Sequence, residues 1–142
     1  MKINHLILLG ALLAVGCGCP KDDSVEKRVE DLLGKMTLEE KIGQMNQVSG
    51  GYQFTEQIAA GNVGSILNIV DPVEINAVQK AAVEQSRLGI PLLVSRDVIH
   101  GFRTIFPIPL AESCAWDDDT FEESAHIAAR ESASMGIKWT FA

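Results

Sequence analysis

A group of polar residues follows an apolar segment near the middle of the chain. Residues 90–94 (IPLLV) predict a buried strand, and residues 95–97 (SRD) come directly after it. Where parallel strands alternate with helices, the carboxyl ends of the strands form the ligand-binding face. A carboxylate there can accept two hydrogen bonds from paired hydroxyls, as on a sugar. Asp97 is therefore a candidate substrate-binding residue, although such a carboxylate on its own more often lies on the surface or caps a helix.

Other residues near Asp97 could do chemistry but have simpler interpretations. Gly101 permits a sharp backbone turn after His100. We interpret His100 as a structural histidine with a hydrogen-bonded ring rather than as a proton donor. Arg96 and Arg103 could line a cleft, but we predict that they pair with nearby acids.

The densest acidic run lies further along the chain. A pair of carboxylates can act as general acid and base. Acids are also favoured at helix N-termini, where they cap backbone amides and complement the helix dipole. We therefore predict capping and first-turn roles for the run, which comprises Asp117, Asp118, Asp119, Glu122 and Glu123. We interpret Glu131 as an ordinary helix residue and Trp139 as a core residue of a strand.

The cysteines do not form a metal-binding pattern. Cys17 and Cys19 lie close together, but no further Cys or His stands at zinc spacing from them. We therefore predict no metal site and no cofactor. A disulfide between Cys19 and Cys114 stays open, because sequence alone cannot support a pairing.

The net charge argues against a nucleic-acid partner. Lys and Arg total 12 and Asp and Glu total 19, which gives −7. Nucleic-acid binding usually needs a basic face. The 142 residues, of which 46% are hydrophobic, are enough for one modest domain with a packed core.

The remaining pattern predicts helices alternating with strands. Thr37 and Glu40 fit a capping box, and the helix that follows has a predicted buried stripe of Leu38, Ile42 and Met45. The predicted order is a helix over 25–36, this second helix ending at 49–51, a strand at 63–67, a helix over 72–88, the strand at 90–94, an irregular connection at 102–115, a helix to about Met135 and a strand at 137–142. The inward face of the helix over 72–88 is predicted to comprise Val73, Ala77, Val78, Ala81 and Ala82. About three strands result, and their alternation with helices indicates a parallel α/β fold.

The N-terminal residues have the pattern of an export signal. Residues 6–15 form an apolar run that is too short to span a bilayer as a helix. The run ends in Ala14-Val15-Gly16-Cys17, which resembles a bacterial lipoprotein cleavage box. We predict a signal peptide at 1–16, lipidation at Cys17 and a polar tether at 17–24; an ordinary secretory signal is the alternative. The protein would then be exported to the periplasm or outer membrane and would contact the membrane through its lipid alone.

Four blocks of this sequence, in order, resemble one known family. The segment RLGIPLLVSRDVIHG (Arg87 to Gly101), continued by TIFPIPLAESCAWD (Thr104 to Asp117), is similar to the N-terminal barrel domain of glycoside hydrolase family 3, in its bacterial β-glucosidase branch. The other blocks are KMTLEEKIGQM (Lys35 to Met45), GNVGSILN (Gly61 to Asn68) and AHIAARESASMGIKWTFA (Ala125 to Ala142). Together the blocks extend the resemblance over residues 25–142.

This resemblance implies a fold, an activity and a role for Asp97. The fold would be the N-terminal portion of a (β/α)8 barrel, incomplete with about three strands. The activity would be exo-acting, retaining hydrolysis of terminal non-reducing β-D-glucosyl residues from β-glucosides and oligosaccharides. Asp97 would bind hydroxyls of the cleaved sugar.

The resemblance places the reacting groups elsewhere. In this family, the nucleophile and the acid/base residue are expected downstream of Ala142, so no catalytic residue is assigned here and the chain alone is predicted to be inactive. The alternatives are a β-xylosidase, a β-N-acetylglucosaminidase, or a non-catalytic, lipid-anchored sugar-binding remnant.

We predict that the isolated 142-residue chain is unstable or aggregates. A barrel of this type needs roughly 250 residues, so strand edges and apolar helix faces would stay open in a three-stranded piece. Size-exclusion chromatography and a thermal melt test this expectation. Soluble, monomeric material with a sharp transition would contradict it.

Overall fold

The chain folds as a parallel sheet of four strands with helices in the connections. The structure, a computed structural model, describes residues 24–141. The predicted signal peptide, Cys17 and Cys19 lie outside these residues. The strands are β1 (Gln47–Ser49), β2 (Ser65–Leu67), β3 (Leu93–Arg96) and β4 (Trp139–Thr140), and they pair side by side in chain order.

Six α-helices occur in the described part of the chain. They are α1 (Val25–Leu33), α2 (Leu38–Gln44), α3 (Thr55–Ala59), α4 (Pro72–Lys80), α5 (Pro109–Glu112) and α6 (Asp118–Ser134). A 3-10 turn at Tyr52–Phe54 precedes α3, a π-helical turn at Ala81–Gln85 extends α4, and a 3-10 turn at Ser113–Ala115 follows α5. The connection at 102–115 is therefore more ordered than predicted.

Side-chain caps fix where several helices begin. The Thr37 hydroxyl accepts a hydrogen bond from the Glu40 amide at 3.2 Å, and the Glu40 carboxylate accepts one from the Thr37 amide at 2.8 Å. This confirms the predicted capping box. Asp71 caps α4 by accepting from the Val73 amide at 3.0 Å, with Pro72 at the first helical position.

The core lies between the sheet and α4. Val48, Ile66 and Val94 stand opposite one another in the register of β1, β2 and β3. Ile66 and Val94 are fully buried, and they pack in one cluster with Ile75 and Val78 of α4. Alternation along a strand sends the neighbouring residues to the other face of the sheet. On that face Leu93 is 44% exposed and Trp139 is 39% exposed, so Trp139 is not the core residue that the sequence predicted.

Arg87 ties α2 to the segment that leads into β3. Its guanidinium donates through Nε to Glu40 Oε1 at 2.8 Å and through Nη2 to the Lys35 carbonyl oxygen at 2.8 Å, and Nη2 also contacts Glu40 Oε2. The hydrogen bond from Arg87, with that from the Thr37 amide, lowers the pKa of Glu40 below its usual value. The carboxylate therefore both caps α2 and anchors it.

The structure corrects the bounds of the predicted strands. Strand β2 is Ser65–Leu67 where 63–67 was predicted, and β4 is Trp139–Thr140 where 137–142 was predicted. Strand β1 was predicted as the end of the second helix, but α2 ends at Gln44 and residues 47–49 pair with β2. Three residues are too few to show a strand period, so sequence did not reveal them. Strand β3 runs to Arg96 because Ser95 and Arg96 pair with Trp139 and Thr140. These two residues therefore belong to the strand instead of following it.

The structure also corrects which faces of two helices are buried. Leu38, Ile42 and Met45 are 68%, 54% and 79% exposed, so the predicted buried stripe of α2 faces outward. The helix instead packs through Gly43, which is buried against the backbone at Gly61. In and after α4, Val78, Ala81 and Ala82 are buried as predicted, whereas Val73 and Ala77 are exposed.

We predict that Gly43→Ala destabilises the fold and that Gly34→Ala does not. A Cβ at Gly43 would overlap the Gly61 carbonyl oxygen and lie 2.8 Å from the Asn62 Cα, both backbone atoms. Overpacking of this kind costs about 1–3 kcal/mol. Gly34 has helical backbone angles and its nearest neighbour would be 3.4 Å away, so Gly34→Ala should gain roughly 0.4–1 kcal/mol.

Urea unfolding of the two variants, each carried in a polypeptide long enough to complete the predicted barrel, measures both effects. Equal unfolding midpoints for Gly43→Ala and Gly34→Ala would contradict the close packing of α2.

Candidate substrate-binding site

Asp97 lies at the carboxyl edge of the sheet. It follows Arg96, the last residue of β3, and its side chain is exposed. The Oδ1 atom accepts a hydrogen bond from the Ile99 amide at 3.3 Å, which orients the carboxylate over a turn. Within residues 24–141, Oδ2 has no protein hydrogen-bond donor, so this oxygen can accept from a ligand.

Polar side chains link the carboxyl ends of three strands beside Asp97. Asn68 follows β2 in a left-handed conformation, with φ of 70°. Its Nδ2 donates to the Ser49 hydroxyl at the end of β1 at 3.3 Å, and its Oδ1 accepts from Arg96 Nη1 at 3.5 Å. We call Ser49, Asn68, Arg96 and Asp97 the polar rim. Arg96 was predicted to pair with an acid, but among the described residues its guanidinium contacts an amide oxygen.

A hairpin formed by residues 100–106, with its tip at residues 103 and 104, leads away from Asp97. The Phe106 amide donates to the His100 carbonyl oxygen at 2.8 Å, and His100 Nδ1 lies 3.1 Å from the Phe106 carbonyl oxygen. A carbonyl only accepts hydrogen bonds, so Nδ1 carries a proton, which agrees with a structural role for His100. Gly101 bridges to Ile105 with φ of 118°, and a Cβ there would overlap the Thr104 carbonyl oxygen, so the turn requires glycine.

Glu131 of α6 holds the tip of this hairpin. Its Oε2 accepts from the Arg103 amide at 2.8 Å and from the Thr104 amide at 2.9 Å, and its Oε1 accepts from the Thr104 hydroxyl at 2.7 Å. The hydrogen bonds from the Thr104 hydroxyl and amide, and then from the Arg103 amide, hold the pKa of Glu131 below its usual value. The interpretation of Glu131 as an ordinary helix residue was therefore wrong.

Arg103 contributes its backbone more than its charge to these contacts. Its guanidinium Nη2 lies 3.3 Å from the Met135 sulfur, and no ion pair of Arg103 is formed within residues 24–141. Arg103 does interact with a local acid, as predicted: its amide donates to Glu131, and its positive charge is a smaller cause of the lowered pKa of Glu131.

The first three residues of the acidic run cap α6 or occupy its first turn, as predicted, whereas Glu122 and Glu123 lie further along the helix. Asp117 is the N-cap residue; its Oδ1 accepts from the Asp119 amide at 3.2 Å and its Oδ2 from the Thr120 hydroxyl at 2.8 Å. Asp118 and Asp119 occupy the first turn. These carboxylates therefore stabilise the helix start.

A cavity of about 430 Å³ lies between the hairpin and α6. His100 and Phe106 line one side of it, and Phe121 and Ala128 line the other. Asp97 is not among its lining residues, so the cavity is separate from the polar rim.

Two further observations bear on membranes and metals. None of the helices formed by residues 24–141 is long and apolar enough to cross a bilayer. In the same residues, no three His, Cys, Asp or Glu side chains are grouped so that they could hold a metal ion. Cys114 is an exposed free thiol.

A parallel sheet whose strand ends carry a polar rim is the arrangement of α/β proteins that bind ligands at that edge. The family profile described as "Glycosyl hydrolase family 3 N terminal domain" matches residues 37–142. The chain belongs to glycosyl hydrolase family 3, whose members are glycoside hydrolases, and its four parallel strands form part of the family's barrel-like α/β domain.

Relatives from several organisms share this segment. A periplasmic β-glucosidase of Salmonella typhimurium is 40% identical over 119 residues, which cover 80% of this chain and 16% of that protein. A crystal structure of a β-glucosidase from Listeria innocua in complex with glucose aligns with a TM-score of 0.73 and 34% identity, over 82% of this chain and 19% of that one. A β-xylosidase of Formosa agariphila is 23% identical over 125 residues, 82% of this chain and 13% of that protein. The chain thus spans less than a fifth of the length of each.

Proposed function

We propose that this chain is part of an exo-acting, retaining β-glucosidase that releases terminal non-reducing β-D-glucosyl residues. The observation that carries the proposal is the position of Asp97: an exposed carboxylate of the polar rim, directly after β3, in a member of glycosyl hydrolase family 3. The β-glucosidases among its relatives favour glucose as the sugar.

The alternation of side chains supports a role for Asp97 at the mouth of the barrel. Leu93 and Ser95 lie on the sheet face opposite the buried Val94, and Asp97 continues that two-residue period. In a closed barrel the face opposite the helices is the interior. A carboxylate at its upper end would accept charge-assisted hydrogen bonds from sugar hydroxyls, which are stronger than neutral ones.

The chemistry of a retaining glycosidase needs two further carboxylates, about 5–5.5 Å apart. Two carboxylates that follow Asp97 in the described part of the chain already have structural partners: Asp117 caps α6, and Glu131 accepts hydrogen bonds from the hairpin. We therefore propose that the nucleophile and the acid/base residue are supplied downstream of Ala142, and that this segment binds and orients the sugar.

A β-xylosidase is the second candidate, because the Formosa agariphila relative has that activity in its name. Xylose lacks the hydroxymethyl group of glucose, so the pocket around that group decides between the two sugars. The ratio of kcat/KM for aryl β-glucoside and aryl β-xyloside distinguishes them.

We propose that the protein is exported to the periplasm or outer membrane. The apolar run at 6–15 and the cysteine that follows it support a signal peptide at 1–16, lipidation at Cys17 and a tether at 17–24 before the domain at 25–142. The Salmonella typhimurium relative is described as periplasmic, which agrees with export.

The substrate-binding role can be tested in a hybrid enzyme. In this hybrid, residues 25–142 replace the matching segment of the Salmonella typhimurium β-glucosidase. We expect the hybrid to hydrolyse aryl β-glucosides and expect Asp97→Ala to lower its kcat/KM by about tenfold or more, because lost hydrogen bonds misplace the sugar. The matched control is Glu30→Ala, which removes an exposed carboxylate from α1. A folded hybrid without activity, or an unchanged kcat/KM in Asp97→Ala, would contradict the proposal.

The lipid anchor is tested by exchanging single cysteines in bacteria supplied with a labelled fatty acid. Cys17→Ser should abolish labelling and release the protein from the membrane fraction, because a thioether-linked lipid needs the thiol. Cys19→Ser is the control and should stay labelled. Equal labelling of both variants would exclude Cys17 as the lipidation site.

A further inference from the structure

The contact between Glu131 and the hairpin joins two parts of the chain that are far apart in sequence. Its three hydrogen bonds connect residues separated by 27 and 28 positions. We propose that Glu131 is a positioning residue, which fixes the hairpin after β3 and thereby holds Asp97 in the orientation that binds the sugar. This inference rests on the proposed function.

The hairpin is stiff enough to transmit a change at its tip to its base. Its two ends are joined by two hydrogen bonds between His100 and Phe106, one between backbone atoms and one from the His100 ring to the Phe106 carbonyl oxygen. Gly101 and Ile105, the next residues inward from these two ends, form an antiparallel bridge, and Phe102 packs against the core. Because these contacts connect the hairpin internally, we expect a shift at its tip to reach the residues at its base.

Three restraints set the direction of the hairpin relative to the sheet, and the first is the packing of Phe102 against the core. At the base, Val98 is 5% exposed and anchors the chain just after β3. At the tip, Glu131 accepts hydrogen bonds from the amides of Arg103 and Thr104 and from the Thr104 hydroxyl. Loss of the Glu131 contacts leaves only Val98 and Phe102 to hold the hairpin, so we expect its position to shift.

The base of the hairpin also orients Asp97. The Ile99 amide donates to Asp97 Oδ1 at 3.3 Å, and Ile99 lies one residue beyond the anchor at Val98. If the hairpin turns about Val98, this amide moves and the carboxylate loses its local donor. A displacement of about 1 Å in a positioned group can cost up to about 10²-fold in rate.

Glutamine is a conservative replacement for Glu131 in its contact with the hairpin. Glu131→Gln keeps one oxygen for the two amides, and its NH2 group can donate to the Thr104 hydroxyl oxygen. It loses the charge, and hydrogen bonds to a neutral acceptor are weaker. Glu131→Ala removes all three acceptor contacts. A positioning role therefore predicts rescue by Gln, whereas a need for the negative charge at the site predicts that both variants fail alike.

The test is a double-mutant cycle in the hybrid enzyme with an aryl β-glucoside. Glu131→Ala should lower kcat/KM by about tenfold, Glu131→Gln should recover most of it, and Glu122→Ala, an exposed carboxylate of the same helix, should have no effect. In an Asp97→Ala background, Glu131→Ala should cause no further loss, because it acts through Asp97. Independent, multiplicative losses, or wild-type kinetics in Glu131→Ala, would overturn the inference.

Hydrogen exchange separates failure of this inference from failure of the proposed function. The peptide covering residues 98–106 should exchange faster in Glu131→Ala than in Glu122→Ala when both variants are measured in the hybrid. Unchanged exchange overturns the positioning role whatever the activity. Faster exchange in a folded but inactive hybrid keeps the structural role of Glu131 and overturns the β-glucosidase proposal.

Discussion

The pairing of β2 with β3 is the constraint on which the rest of the structure depends. Ile66 and Val94 stand opposite each other, and both are fully buried against α4. The buried Ser95 hydroxyl of β3 also links the strands. It donates a hydrogen bond to the Ile66 carbonyl oxygen of β2 at 2.9 Å and accepts one from the Gln47 side chain of β1 at 3.1 Å. A shift of register by one residue would turn these side chains to the wrong face. The register therefore fixes the level at which each strand ends.

The carboxyl ends of the strands bring the residues of the polar rim together. Because the strands are parallel and in register, their carboxyl ends meet at one edge, where Ser49, Asn68 and Arg96 are linked by hydrogen bonds beside Asp97. The hairpin beyond Asp97 is then held against α6 by Glu131. Burial in the core thus fixes the sheet, the sheet fixes the rim, and local hydrogen bonds orient the carboxylate. In the β-glucosidase that we propose, this order explains how the segment would orient the sugar.

Short-range signals in the sequence predicted the structure well, and contacts between distant residues did not. The capping box of Thr37 and Glu40 and the N-cap at Asp117 involve neighbours two or three residues apart, so the residue types alone reveal them. The buried face of α2 depends on the close approach of Gly43 to the backbone at Gly61, which no periodicity records. Glu131 resembles any helical glutamate until the fold brings Thr104 beside it. The position of Asp97 after a strand could be read locally, but its partners in the rim could not.

A crystal structure of the hybrid enzyme with bound glucose tests the central claim most directly. We expect glucose to lie at the carboxyl edge of the sheet, with both Asp97 carboxylate oxygens within hydrogen-bond distance, about 2.5–3.2 Å, of glucose hydroxyls. Glucose bound in the enzyme with the Asp97 carboxylate turned away from it, separated by other side chains, would contradict the account.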